Sequence, residues 1–210
     1  TTNIEFIKSI AAKGKPLIIS TGMTYMDEIS LMLKEVSLIN RDVFLLQCTS
    51  NYPLDDAEVN LSVINSFKKY FDCLIGFSDH SIGIHASQLS VGLGSTMIEK
   101  HFTLDKELPG PDHAASLDPK ELKEFVKSIR SAEILMGSNV KIPTISEIGT
   151  RASLQKSIVA QEIINAGEIY TTKNLICKRA GGKGISAIYL NEILGISANQ
   201  NYSIDDLIIK

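Results

Sequence analysis

The chain has 210 residues, of which 44% are hydrophobic and 6% aromatic, enough for one good core and a small second domain and unlike a disordered composition. Its formal net charge of −3, with lysines scattered along the sequence, offers no electrostatic footprint for nucleic acid or for an anionic membrane, so small molecules are the expected partners. No apolar stretch approaches the roughly 18 residues of a membrane span, and the opening TTNIEFIKSIAAKGK lacks the hydrophobic core of a secretory signal, which makes the cytoplasm the expected location.

In chain order, residues 15–21 (KPLIIST) form the first short, nearly continuous apolar run, the pattern of a strand covered on both faces. Thr24 and Asp27 then predict a capped helix with a stripe of Ile29, Met32, Leu33 and Val36. A second strand is expected over 43–49 (VFLLQCT), followed after the acidic DDAE by a helix carrying Leu61, Ile64, Phe67 and Phe71. The third strand, 73–78 (CLIGFS), leads into the helical IGIHASQLSVGLG, where His85 reads as a surface residue, and the fourth strand is 95–101 (STMIEKH). Asp118-Pro119-Lys120-Glu121 has the residues of an N-cap, a first-turn proline and a capping-box partner. The helix that they open bears Leu122, Phe125, Val126, Ile129 and Leu135 on one face and stops at Gly137. Cys48, Cys73 and Cys177 are odd in number and contain no C-x-x-C, so free thiols are expected rather than a disulfide frame or a thiolate metal site.

Alternating strands and helices of this length predict a parallel sheet with right-handed crossovers, as an open doubly wound sheet or as a (β/α)8 barrel. The strand endings favour the barrel. Ser20, the stretch Thr49-Ser50-Asn51-Tyr52, Ser78-Asp79-His80 and Glu99-Lys100-His101 all fall at carboxyl ends, where barrel enzymes gather their chemistry. Side-chain alternation puts Ser78 with His80 and Glu99 with His101 on one face, and turns Asp79 and Lys100 to the other. A strand-end histidine reads either as a hydrogen-bonded rim residue or as a metal ligand. A carboxylate facing a barrel interior is costly unless it is paired, bound to a ligand or used in catalysis, which leaves Glu99 with a catalytic reading and a structural ion pair as its alternative. Asp112 and His113 lie in PGPDH, the loop after the fourth strand, a region where barrels often bind phosphate or sugar groups, although by itself the loop is a proline–glycine turn.

Taken together, KPLIISTGM, LLQCTSNYP, GFSDHSIGIHA, IEKHFTLDKELPGPDHAASLDP and the late KSIVA…KRAGGKGIS resemble the N-acetylneuraminate (sialic acid) synthase family, including its relatives that make legionaminate and pseudaminate. The resemblance runs over essentially the whole chain. It implies a metal-dependent condensation of phosphoenolpyruvate with an open-chain N-acetylated amino sugar, N-acetylmannosamine or a close relative, giving a nine-carbon 2-keto acid and phosphate. The implied cofactor is a divalent ion, Mn²⁺ or Mg²⁺. By the same resemblance His80 and His101 are the metal ligands and Glu99 moves protons. Ser20, Ser50 and Ser78 line the phosphoenolpyruvate site, and Tyr52 and Asp112 meet the sugar. Arg179 is matched to an arginine that reaches across a domain-swapped homodimer to the sugar's N-acetyl group. PGPDHAAS looks closer to the neuraminate and legionaminate type than to the pseudaminate type.

The resemblance starts at the family's fifth strand, so residues 1–137 are expected to be the second half of a TIM barrel, strands five to eight, with activity of this stretch alone in doubt. Residues 138–155 carry Pro, Gly, Ser and Thr without helical periodicity and are expected to be a linker. Residues 156–210 are expected to be an antifreeze-like β-rich domain, with strands in SIVAQEI, EIYTTKNLIC and DDLIIK, a turn at Asn165-Ala166-Gly167 and a short helix ending at Gly195. The glycine loop 181–184 is expected to be a flexible turn. A carbohydrate-binding or assembly module with an inactive partial barrel is the competing reading, and the intact set Ser78, His80, Glu99 and His101 argues against it.

Overall fold

The computed structural model describes residues 1–209 and divides into two compact units, Thr1–Gly137 and Ser138–Lys210. The first is built on a parallel sheet of β1 (Leu17–Ser20), β2 (Val43–Cys48), β3 (Leu74–Asp79) and β4 (Ile98–Lys100), in that order. All four predicted strands form, three of them shorter than their apolar runs and β3 shifted by one residue, and the register pairs Leu46 with Gly76, Cys48 with Ser78 and Ser78 with Glu99. Strand order following chain order is the half-barrel arrangement. Gly76 is required where β3 meets its neighbours, because a Cβ there would sit 2.4 Å from Leu46 Cδ2 and 2.6 Å from the Met97 carbonyl.

Helices α1 (Ile4–Ala11), α2 (Met26–Ser37), α3 (Val63–Tyr70), α4 (His85–Gly92) and α5 (Pro119–Met136) complete this unit. Met32, Val36, Leu45 and Ile64 have no exposed surface and share one core with Phe67, Ile75 and Phe77. Each such side chain contributes on the order of 1.5–3 kcal/mol through burial. Helix α2 begins one residue later than Thr24 and Asp27 suggest: the Glu28 carboxylate accepts from the Tyr25 N–H at 2.7 Å, while the Thr24 hydroxyl turns back to the Thr21 carbonyl. For α5 the expected cap is present, with Asp118 Oδ1 accepting from the N–H groups of Lys120 and Glu121 at 2.8 Å. On its apolar face Phe125 is buried, whereas Val126 and Leu135 are exposed.

The second unit opens differently from expectation. The stretch 138–155 holds a ten-residue helix, α6 (Ile145–Leu154), started by Glu147, whose carboxylate accepts from the Thr144 N–H at 2.8 Å. Strands β5 (Lys156–Ala160) and β6 (Leu175–Arg179) form one antiparallel ladder. The rest is held by single bridges such as Val159 with Leu207 and Ile164 with Tyr202, so EIYTTKNLIC is broken into a bridge at Ile169 with Ser197 and the start of β6, and DDLIIK contributes one bridge, its last residue lying outside the described residues. The turn at Gly167 and the short helix α7 (Leu190–Ile193) before Gly195 are present. The glycine loop is packed: a Cβ on Gly182 would lie 2.7 Å from the Ala152 carbonyl, and one on Gly184 would lie 2.8 Å from Leu207 Cδ2. Among the described residues no helix is long and apolar enough to cross a membrane.

Candidate active site

The carboxyl ends of β1, β3 and β4 converge on one carboxylate. Glu99 Oε1 accepts from Ser78 Oγ at 2.7 Å and from Ser20 Oγ at 3.5 Å, a direct consequence of Ser78 and Glu99 being register partners. Among the described residues no lysine or arginine comes within ion-pair distance of Glu99. Its second oxygen, Oε2, makes no hydrogen bond within the described residues. Cys48, the register partner of Ser78, lies against the same group, and burial raises its thiol pKa, so it stays a protonated wall rather than a nucleophile.

Beside the carboxylate stand three rings. His80 and His101 follow the last residues of β3 and β4 and meet edge to face, 5.1 Å between centroids. Tyr52, from the loop after β2, stacks on His101 at 4.0 Å and meets His80 edge-on at 5.3 Å. Burial lowers the His101 pKa, the neighbouring His80 lowers it further, and the opposing pull of Asp112 and Glu99 is weaker. Asp112 Oδ2 is 3.9 Å from His101 Nδ1, a contact long enough for desolvation to outweigh it. A neutral imidazole keeps a lone pair for a ligand.

The donors suit a divalent ion. His80 Nδ1 is buried with no hydrogen-bond partner, a costly state for a ring nitrogen unless coordination at this histidine compensates for it. Among the described residues no three His, Cys, Asp or Glu side chains are grouped to hold a metal, so two imidazoles are what this stretch could offer an ion.

The remaining predicted residues are placed as follows. Ser50 is exposed at the end of β2 and occupies the space of a side chain that Gly22 lacks: a Cβ on Gly22 would be 2.0 Å from Ser50 Oγ. Tyr52 reaches Ser116 at 3.4 Å through its hydroxyl, and burial raises its pKa. Asp112 is exposed at the rim. Arg179 belongs to the second unit, exposed at the end of β6 and without an ion pair among the described residues. His85 is exposed in the first turn of α4, as expected.

Sequence reasoning missed the reverse side of the same strand ends. Asp79 and Lys100 face away from the carboxylate, as alternation requires, yet both are buried and joined, Nζ to Oδ2, at 3.1 Å. Their adjacency in register was the available signal; their burial was not visible. His113, read with Asp112 as part of the PGPDH loop, has a structural task that the sequence did not show. Its Nδ1 lies 2.7 Å from Thr103 Oγ1, whose own proton goes to the Asp105 carbonyl at 2.9 Å, so the ring donates from Nδ1 and anchors the loop that carries Asp112.

Comparison with known proteins matches residues 1–141 to the model of the NeuB family. An N,N'-diacetyllegionaminic acid synthase of Campylobacter jejuni is 43% identical, over 99% of this chain and 63% of its own length. The human N-acetylneuraminate-9-phosphate synthase is 38% identical, over 100% of this chain and 59% of its own length. Among solved structures, the N-acetylneuraminic acid synthetase of Leptospira borgpetersenii in complex with citrate superimposes with a TM-score of 0.67 at 35% identity, over 72% of this chain and 54% of the other. The chain therefore spans about three fifths of the length of the curated relatives that it matches.

Proposed function

This chain belongs to the NeuB family, and on that premise we propose that it is the carboxyl-terminal part of a synthase that joins phosphoenolpyruvate to an open-chain N-acetylated amino sugar. In this reading residues 1–137 are the second half of a (β/α)8 barrel and residues 156–210 an antifreeze-like domain. The observation that carries it is the convergence at adjacent strand ends of two edge-to-face imidazoles and a carboxylate held by two hydroxyls.

His80 and His101 would hold a divalent ion, Mn²⁺ or Mg²⁺, which when bound supplies Lewis acidity toward the sugar aldehyde. The reaction forms a bond between the methylene carbon of phosphoenolpyruvate and the aldehyde carbon, adds water at the neighbouring carbon, and breaks that carbon's bond to phosphate oxygen. Glu99, fixed through Oε1, has Oε2 free to take the proton that the water gives up. Ser20, Ser50 and Ser78 line the phosphoenolpyruvate site; Ser50 offers its hydroxyl as a donor there, while Ser20 and Ser78 hold Glu99 beside it. Tyr52 presents a ring face and Asp112 an acceptor to the sugar. Arg179 would contribute its planar fork of donors from the partner in a homodimer. The sugar is N-acetylmannosamine or a precursor of the legionaminate type, in keeping with the relatives named above.

In the full-length protein His80→Ala and His101→Ala should each abolish Mn²⁺ binding by calorimetry, and Glu99→Gln should lower turnover by about 10²-fold or more with little change in Mn²⁺ affinity. Unchanged Mn²⁺ affinity in both histidine variants would sink the metal assignment, and wild-type turnover in Glu99→Gln would sink the proton-transfer role. For Arg179, mixing Arg179→Ala with His101→Ala protomers should restore activity in the heterodimer; verified exchange without recovery counts against the cross-dimer contact.

A further inference from the structure

We infer that the buried Asp79–Lys100 ion pair is a positioning device for His80 and His101, setting the metal affinity of a site that it never touches. The inference rests on reading those histidines as ligands.

Asp79 and Lys100 are register partners at the last rungs of β3 and β4, and each immediately precedes one of the histidines. Because alternate residues take opposite faces, the pair lies directly behind the two rings. The Asp79 side chain has no exposed surface and that of Lys100 only 3%. Every lone pair of consequence is used: Asp79 Oδ1 accepts from the Ser81 N–H at 2.9 Å and from Ser81 Oγ at 2.7 Å, and Oδ2 accepts from Ser87 Oγ at 2.5 Å as well as from Lys100. Lys100 Nζ also donates to the Ser81 carbonyl at 2.5 Å. Ser81 is thus held at both its N–H and its C=O, one end by each member of the pair. The His80 carbonyl is fixed in turn, accepting from the Leu54 N–H at 2.9 Å. The backbone on both sides of His80 is pinned to β4, the strand that carries His101.

A buried ion pair is a poor way to gain stability. Desolvating two charges costs several kcal/mol, and apolar or neutral replacements of both partners are often no less stable. A fully satisfied network fixes geometry, which is what two ligands on separate strands need.

The test separates geometry from stability by using Mn²⁺ alone as the probe on the full-length protein. Asp79→Asn and Lys100→Met should each lower Tm strongly, since each strands a buried charge. The double variant Asp79→Asn/Lys100→Met should recover most of the Tm. Its Mn²⁺ affinity should nevertheless stay weakened by about 10-fold or more, the scale of outer-shell residues at metal sites, with a changed Mn²⁺ paramagnetic resonance spectrum. Wild-type affinity and spectrum in the double variant would overturn the inference and leave the pair a purely structural feature. If that variant fails to fold, Ser87→Ala keeps both charges and removes one donor; affinity reduced by about threefold supports the inference, and unchanged affinity refutes it. Should His80→Ala and His101→Ala bind Mn²⁺ like wild type, the ligand reading itself fails and takes this inference with it, an outcome distinguishable from the first.

Discussion

The two units satisfy their backbones in contrasting ways. Residues 1–137 use four parallel strands whose middles are apolar and whose ends are polar, so stability and chemistry occupy different rungs of the same ladder. Residues 138–209 have one antiparallel ladder and otherwise rely on isolated bridges gathered around buried aromatics, chiefly Tyr202 and Tyr170. A sheet can lose one contact and keep its neighbours in line; loops joined one bridge at a time depend on the side chain beneath them.

The sharpest way to break this contrast is Tyr202→Ala. Tyr202 is 2% exposed, its N–H and C=O both pair with Ile164, and its hydroxyl donates to Asn199 at 2.6 Å. The substitution should cost about 3–5 kcal/mol, the scale for a large aromatic removed from a core, and hydrogen exchange should show the amides of Ile158, Ala160 and Ile164 losing protection. Retained protection there would mean that the bridges hold without the ring. In the first unit the corresponding weakness is the addition of a methyl. Gly76→Ala should cost about 1–3 kcal/mol by forcing β3 away from β2 and β4, read as a lower midpoint in urea. Equal stability would mean that the sheet yields more readily than its register suggests.

The smallest expected effect concerns the rim. Lys106 Nζ lies 2.6 Å from a Glu121 oxygen, and this bond, with help from the Asp118 N–H, lowers the Glu121 pKa. A carboxylate with a depressed folded pKa adds stability above its unfolded value, near 4.5, and loses it as pH falls through the folded value. Lys106→Met should therefore remove under about 1 kcal/mol at neutral pH and nothing at pH below both values, because the pair is partly exposed. A larger loss would show that the pair organises the loop after β4.

What could be read from the sequence follows the same division. Parallel strands covered on both faces are continuous apolar runs, so β1 to β4 stand out, and period-two alternation then sorts their polar ends into two faces. Helix α6 did not stand out because its apolar residues, Ile145 and Ile148, are exposed and Gly149 interrupts the pattern; only the Thr144 to Glu147 spacing marks its start. Helix α1 is two turns long, with Ile7 and Ala11 as its buried residues, too brief a stripe to register. In the second unit the bridges are single residue pairs with no periodic signature. For the site, alternation identified which residues share a face, and the family resemblance supplied roles, but neither revealed that Lys100 folds its aliphatic stem inward to meet Asp79.

The close approach of Gly22 to Ser50 has a consequence for how this protein can vary. Since Ser50 Oγ occupies the volume that any side chain at position 22 would need, a change at 22 is at once a change at 50. The segments that follow β1 and β2 are therefore a single heritable unit at this point. A library that diversifies position 22 while keeping Ser50 will sample mostly collisions, whereas paired substitution at the two positions opens a route to re-shaping this part of the rim.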